Sequence, residues 1–166
     1  MILMTEKSIW FYTTHIIDDM KRFVISAYKK EDKQITYSEL KSLTKKEHPY
    51  VITNEMNRAI FSFQHKLEGK LFLLEHGIEL AKNLEDIENQ NLELSRELYK
   101  NHVLFKFALD CVLSFGIKPF SKRQYYNRVQ TRAPIFNYKY KSSTSKQLNY
   151  VLGFFIDLDM LGIEKL

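Results

Sequence analysis

Apolar residues recur at intervals of three and four along most of the chain, a spacing that predicts amphipathic helices. From about Thr5 to Lys30 they form one stripe, so we expect a single long helix there. The polar run KKEDKQ then interrupts the pattern, and Thr36 or Ser38 is placed to cap a short helix, SELKSLTKK. The chain is therefore predicted to open with two helices.

A turn and a second capped helix are predicted next. Pro49 lacks an amide donor and disfavours helical geometry in the residue before it, so EHPYVIT is expected to be a turn. Thr53 should cap the helix NEMNRAIFSFQHKLEG, which stops at Gly69. In KLFLLEHGIELAK, the pair His76 and Gly77 favours a two-residue hairpin turn over a short helix that ends at Gly77.

One long helix is predicted from about Asn83 to Phe115, because its apolar positions follow the alternating three- and four-residue steps of a heptad seam. Such a seam can pair with a second copy or a protein partner, or it can face the core of a single domain. The core interpretation is favoured. The seam over residues 84–112 consists of Leu84, Ile87, Asn91, Leu94, Leu98, Asn101, Phe105, Ala108 and Val112.

The last 50 residues are predicted as two helices around an extended segment. Gly116 ends the long helix, and Ser121 begins a short one, KRQYYNRVQ. Pro134 closes that helix, and IFNYKYK alternates as an extended segment does. Hydroxyl groups within 142–145 then cap a last helix, KQLNYVLGFFIDLDML, which Gly162 finishes.

These elements predict a mainly α protein with little β-structure, one or two short hairpins. Five Gly and three Pro among 166 residues argue against a turn-rich sandwich or barrel. We expect an N-terminal helical lobe over residues 1–82, a long connecting helix over 83–115 and a basic C-terminal lobe over 116–166. The same elements can also form one continuous domain.

The order short helix, turn, longer capped helix, glycine and apolar pair occurs twice, first in ITYSELKSLTKK to HGIEL and again in SKRQYYNRVQT to LGIEKL. Both copies resemble the winged helix-turn-helix superfamily, in which a second helix enters the major groove and a β-hairpin wing follows. The resemblance implies two winged-helix-like lobes that bind DNA. The second copy departs from the pattern in its long turn, 131–141, and in ending before a wing can finish. Those departures weaken the case for groove insertion there and leave backbone binding untouched.

Charge is concentrated in one stretch. Residues 116–150 hold eight Lys and Arg and no acid, whereas the other residues hold 17 Lys and Arg against 20 Asp and Glu. The formal charge of +5 therefore divides into +8 and −3. A cationic segment interleaved with aromatic residues is typical of nucleic-acid binding.

The candidate contact residues follow from this segment. Basic residues beside the last helix can hold phosphates, and polar residues in its first turns can read base edges. In the second copy they are Lys122, Arg123, Arg128, Arg132, Lys139, Lys141, Ser143, Thr144, Lys146, Gln147, Asn149 and Tyr150. A weaker second site in the first copy, diluted by neighbouring acids, comprises Lys45, Lys46, Asn54, Asn57 and Arg58.

The prediction is a non-enzymatic protein that binds duplex DNA, as a regulator or as a subunit of a DNA-processing or defence complex. Two alternatives remain. Tyr125, Tyr126, Tyr138 and Tyr140 can stack bases, which would favour RNA or single strands. The heptad seam can instead make the protein a helical adaptor or a homodimer.

Other chemistry lacks its usual spacing. The five His are far apart, and one cysteine, Cys111, excludes an intrachain disulfide and a cysteine-based zinc site. No glycine-rich phosphate loop and no nucleophile with a base partner is present, so we expect no enzyme, metal or cofactor. No signal peptide or span of roughly 20 apolar residues is visible, so we expect no membrane association and a cytoplasmic location.

Overall fold

The computed structural model describes residues 2–6, 16–44, 49–65, 69–133 and 142–165. Within this part the chain is mainly helical, with short strands in two small sheets, which confirms the predicted fold class. The chain divides into two compact units. The central unit spans Thr14–Val103, and the terminal unit combines Met1–Thr13 with Leu104–Leu166.

The central unit contains five α-helices and a three-stranded antiparallel sheet among its described residues. The sheet order is β2-β4-β3, so the last strand lies in the middle. The elements are α1 (Ile16–Tyr28), β2 (Gln34–Thr36), α2 (Tyr37–Leu43), α3 (Pro49–Arg58), β3 (Ser62–His65), β4 (Lys70–Leu73), α4 (Glu75–Asn83), a 3-10 turn (Ile87–Asn89) and α5 (Gln90–Asn101).

The terminal unit contains three helices and a small parallel sheet among its described residues. Its elements are β1 (Ile2–Glu6), α6 (Val103–Leu113, whose first residue belongs to the central unit), α7 (Lys122–Arg132), α8 (Ser142–Asp157) and β5 (Leu161–Lys165). β1 pairs in parallel with β5, and Met4 also bridges Phe120 on its other side. The strand from the N-terminus therefore occupies the middle of this sheet.

The two units repeat one order of local structure. In the central unit, Ile35 pairs with the middle strand, and Thr36 then caps α2 with a capping box to Glu39. In the terminal unit, Phe120 bridges the middle strand, and Ser121 caps α7 with a capping box to Gln124. A hydroxyl at the cap and a Glu or Gln three residues later satisfy two free amides reciprocally.

The second helix of each pair also ends in the same way. Ile60 after α3 and Asp159 after α8 have left-handed backbone, with φ of 60° and 59°. The Phe61 amide then donates to the Met56 carbonyl, and the Met160 amide to the Phe155 carbonyl. This is the hydrogen-bond pattern of a Schellman end. A strand begins one residue later in both units, so each follows the order helix, strand pairing, helix, helix, strand.

Four predicted elements are wrong in whole or in part in the first half of the chain. Thr5 lies in β1 rather than in a helix, and the helix expected to run on to Gly69 ends at Arg58. The Pro49 segment begins α3, where a missing amide costs nothing. The hairpin joins β3 to β4, and the predicted turn residues His76 and Gly77 lie inside α4.

The long helix predicted over 83–115 is also wrong, because it is broken twice. Residues 84–89 separate α4 from α5 by a short 3-10 turn, and His102 adopts extended geometry between α5 and α6. The last helix stops at Asp157, five residues before Gly162, which lies in β5. Its apolar residues Leu158 and Leu161 remain buried after the helix has ended.

The heptad seam supplies core residues of this chain rather than a pairing surface. All of its apolar members except Ile87 are buried. Asn91 accepts from Lys21 Nζ, and Asn101 donates to the carbonyl and carboxylate of Glu97. The adaptor or homodimer predicted through this seam therefore has no free apolar stripe there. Among the described residues, no helix has the length and apolar composition needed to cross a membrane.

Candidate nucleic-acid interface

Helix α7 presents one polar face to solvent. Its opposite face buries Tyr125 and Val129, which are spaced four residues apart. The exposed residues on the polar side carry amide, hydroxyl and guanidinium groups but no carboxylate. They are Arg123, Gln124, Asn127, Gln130 and Thr131. Apart from Arg123, none of these was predicted as a contact, although their spacing of three and four marks a common helical face.

Positive charge on this unit is not offset by its own acids. By sequence, the terminal unit holds 11 Lys and Arg against five Asp and Glu, a formal charge of +6. The central unit holds 14 against 15, a formal charge of −1. Among the described residues, neither Lys118, Arg123, Arg128 nor Arg132 forms an ion pair with a carboxylate.

The predicted phosphate contacts on α7 differ in their availability. Arg123 is exposed, and Lys122 and Arg132 are half-buried. Arg128 is engaged within its own unit: its guanidinium lies 4.3 Å from the centre of the Phe115 ring and donates to the hydroxyl of Ser114. The same guanidinium lies 3.5 Å from the backbone carbonyl oxygen of Ser114. Arg128 therefore stabilises the end of α6, and Arg123 is the better candidate contact.

Arg132 and Arg128 also affect a buried thiol. Burial raises the pKa of Cys111 to about 11, although the charges of Arg132 and then Arg128 oppose that rise. A thiol with so high a pKa stays protonated near neutral pH, where it is a poor nucleophile. Cys111 is therefore a core residue of α6.

Helix α8 begins inside the acid-free segment. The first amides of a helix lack partners within it and favour anions. Gln147, Asn149 and Tyr150 are half-buried, and the Oδ1 atom of Asn149 is fully buried, with no hydrogen-bond partner among the described residues. The buried Oδ1 is not available to a base edge in this conformation. Gln147 remains the better candidate for base contacts.

For several of the predicted contact residues the structure describes no side chain. Lys139 and Lys141 lie outside the described residues, as do Lys45 and Lys46. For Ser143, Thr144 and Lys146 the structure describes the helical backbone of α8 and not the side chains. Their predicted contacts stay predictions.

The weaker site on α3 is partly engaged within the central unit. Asn57 accepts a hydrogen bond from the hydroxyl of Ser62 at 3.0 Å. Arg58 donates to Glu55 Oε1 at 2.7 Å. Asn54 is half-buried. The structure therefore places these three residues on one helix, with two of them already bonded to their own unit.

The tyrosines on α7 are less accessible to stacking bases than the sequence suggested. Tyr125 is 0% exposed, and its ring lies 5.5 Å from that of half-buried Tyr126. A buried ring cannot receive a base, so the predicted stacking role of Tyr125 is wrong. Tyr138 and Tyr140 lie outside the described residues.

No metal centre emerges from the part of the chain that the structure describes. That part contains no group of three His, Cys, Asp or Glu side chains able to hold a metal ion. Comparison of the chain with protein-family models, curated proteins and solved structures gave no match. Its function is therefore argued from its own residues.

Proposed function

We propose that this protein binds nucleic acid without catalysing a reaction, that duplex DNA is its preferred ligand, and that α7 and α8 of the terminal unit form the interface. The observation that carries this proposal is the acid-free polar face of α7, with exposed Arg123 near its start, in a unit with a formal charge of +6. Such a surface lowers the free energy of a bound polyanion and releases its counterions.

The order of elements supports a helix-turn-helix mode of binding. α7 and α8 follow a strand pairing at Phe120 and precede β5, as α2 and α3 follow β2 and precede β3. This order is the one expected of the winged helix-turn-helix superfamily, with β1 taking the place of the second wing strand. The reversed direction of that strand is a departure from the pattern, since β1 runs parallel to β5.

The proposed contact residues fall into two groups, those that bind phosphates and those that contact base edges. Arg123 is exposed, so it is assigned to a phosphate, a contact that positions the protein without reading sequence. The free amides at the start of α8 add a further phosphate contact. Gln147 is assigned to base edges in the major groove, where an amide side chain can pair with adenine. The burial of Tyr125 favours duplex over single strands, because it removes one stacking platform.

Fluorescence anisotropy tests this proposal directly. The full chain is titrated into a labelled random-sequence duplex and into a single strand of equal length, each over a series of salt concentrations. We expect tighter binding to the duplex and a linear fall of log K with log salt. Equal or tighter binding to the single strand would reject duplex DNA as the preferred ligand.

A matched pair of charge reversals locates the interface. Arg123→Glu removes a cation from the α7 face, and Lys82→Glu removes an exposed cation from α4 in the central unit. We expect the first variant to bind the duplex at least ~10-fold more weakly and the second to bind within about two-fold of the unaltered protein. Equal losses in both variants would indicate a non-specific charge effect and reject the α7 face.

A further inference from the structure

The central unit contains an apolar cavity with acidic residues along the 3-10 turn at its rim. It has a volume of about 390 Å³ and lies where the ends of α1 and α4 meet the 3-10 turn. Ile25, Ala81, Leu84 and Ile87 supply most of its apolar wall. A cavity of this size is within the range that receives ligands or anchor side chains.

Fixed side chains shape the cavity wall. The ring of Tyr28, which lines it, lies 4.4 Å below the ammonium group of Lys33. Gln90, also in the wall, donates its amide to the Leu84 carbonyl at 2.7 Å. Ile87 is 81% exposed at the rim. Covering this side chain would remove apolar surface from water, which favours association.

The charge of the rim favours a cationic partner. Glu85 lines the cavity, and Glu88 follows Ile87; both are exposed, and neither carboxylate has a partner among the described residues. Among the described residues that line the cavity, Lys29 is the one cation and Glu85 the one acid. An occupant with an apolar anchor and an adjacent cation therefore matches the cavity in shape and charge.

The chain carries such an anchor itself. Ile117 is 99% exposed, more than any other large apolar residue described, and Lys118 beside it is exposed as well. Both belong to the acid-free segment 116–150, so no sequence neighbour neutralises the lysine. Among the described residues of that segment, Ile117 is the sole exposed large apolar residue.

The backbone holds this anchor outward. Gly116, three residues after the end of α6, has a φ of 65°, and the chain turns there. On either side of the turn, the rings of Phe115 and Phe120 stack with centres 4.5 Å apart and an angle of 11°. The segment 116–119 is thus a short loop closed at its base, with Ile117 at its tip. A preorganised anchor loses little conformational entropy on binding.

We propose that two copies of this chain associate head to tail, with Ile117 of one copy inserted into the cavity lined by Ile25, Ala81 and Ile87 of the other. Lys118 of the first copy then lies against Glu85 and Glu88 of the second. The contact is heterologous, because different surfaces of the two copies meet. It does not depend on nucleic acid. One anchor and one cavity make a small interface, so the association is weak and salt-sensitive.

Sedimentation velocity of the full chain over a concentration series tests this proposal. We expect the average mass to rise above the monomer mass of 19.8 kDa with concentration and to fall back when salt is added. Ile117→Ser should reduce association at least ~10-fold, whereas Val103→Ser, which alters another exposed apolar residue, should leave it unchanged. A monomer at every concentration would overturn the proposal, and so would equal loss in both variants.

Mixing two defective variants tests the direction of the contact. The double variant Glu85→Lys and Ile87→Lys loses the cavity rim and keeps the anchor, whereas Ile117→Ser keeps the cavity. Neither variant should associate alone, and their mixture should form a one-to-one complex with the affinity of the unaltered protein. Glu79→Lys, at an exposed position of α4 that does not line the cavity, serves as the control and should associate normally. Failure of the mixture to associate would contradict the head-to-tail geometry even if the unaltered protein forms dimers.

Discussion

His102 Nε2 lies 2.7 Å from Glu55 Oε2, and the pair joins the end of α5 to the middle of α3 inside the central unit. His102 is 1% exposed. The second carboxylate oxygen of Glu55 accepts from Arg58 at 2.7 Å, so one buried acid holds two partners from two helices. Because this contact spans 47 residues, it fixes where α5 ends relative to α3.

We therefore expect His102→Ala to destabilise the protein by about 1–3 kcal/mol, since it leaves a buried carboxylate oxygen without a donor. Chemical denaturation measures the change. His102→Gln is the matched variant, because its amide can still donate to Glu55, and it should lose less. Equal free energies of unfolding for the alanine variant and the unaltered protein would show that the contact contributes nothing.

Gly77 gives a second stability prediction. It lies in α4, where alanine usually stabilises a helix by up to ~1 kcal/mol over glycine. A Cβ at Gly77 would lie only 2.6 Å from the Phe61 carbonyl oxygen, so Gly77→Ala should instead destabilise by about 1–3 kcal/mol. Glu79→Ala on the exposed side of α4 should change stability by less than ~0.5 kcal/mol. A stabilised Gly77→Ala protein would contradict this close approach.

Glu39 should make the folding stability of the protein vary with pH in the acid range. Its hydrogen bond from Lys30 and then that from the Thr36 amide lower its pKa from 4.5 to about 2. A carboxyl group whose pKa is lower in the folded than in the unfolded state stabilises the fold above the unfolded pKa. That contribution is lost as pH falls from about 4.5 towards 2.

The measurement compares Tm against pH for the unaltered protein and Glu39→Gln. We expect the unaltered protein to melt higher near neutral pH and the difference to shrink as pH falls through that window. Glu31→Gln, at an exposed acid in the neighbouring turn, controls for general charge effects. A difference in Tm that stays constant down to pH 2 would contradict the assignment.

Substitution of Arg123 should weaken duplex binding, whereas substitution of Arg128 should lower folding stability. Arg128→Ala loses the contact with the Phe115 ring and the hydrogen bond to Ser114, so it should cost about 1–2 kcal/mol of folding stability. Arg123→Ala should leave stability within ~0.5 kcal/mol and lower the salt slope of duplex binding by about one. Denaturation and anisotropy on both variants check this division. If both variants lost folding stability and duplex binding to the same extent, the two arginines would not differ in role.

Local signals predicted the fold well where a few neighbouring residues decide it. Thr36 or Ser38 was predicted to cap α2, and Ser121 was predicted to begin α7. The structure has Thr36 and Ser121 as the caps, and each cap depends only on a side chain three residues away. Gly69 was predicted to end a helix, which is wrong; it has a left-handed φ of 58° but directly precedes β4.

Distant contacts account for the errors. β1 is a strand because β5, almost the whole chain away, pairs with it. The left-handed conformation of Ile60 ends α3, yet a β-branched residue gives no sequence signal for that geometry. His102 interrupts the heptad pattern through its bond to Glu55, which periodicity cannot reveal.

The candidate site was predicted only in part. The acid-free segment was evident from composition, and Arg123 is exposed as expected. Sequence could not distinguish Arg123 from Arg128, because their difference depends on the distant Ser114 and Phe115. It also could not show that Tyr125 faces the core, since Tyr is common both in cores and at interfaces.

Amide hydrogen exchange of the full chain, with and without a random-sequence duplex, tests the central proposal most directly. We predict that the duplex slows exchange in α7 and in the first turns of α8 and leaves α4 and the acidic segment 85–88 after it unchanged. Slower exchange confined to the central unit, or no change anywhere at saturating duplex, would contradict the assignment of the interface to the terminal unit.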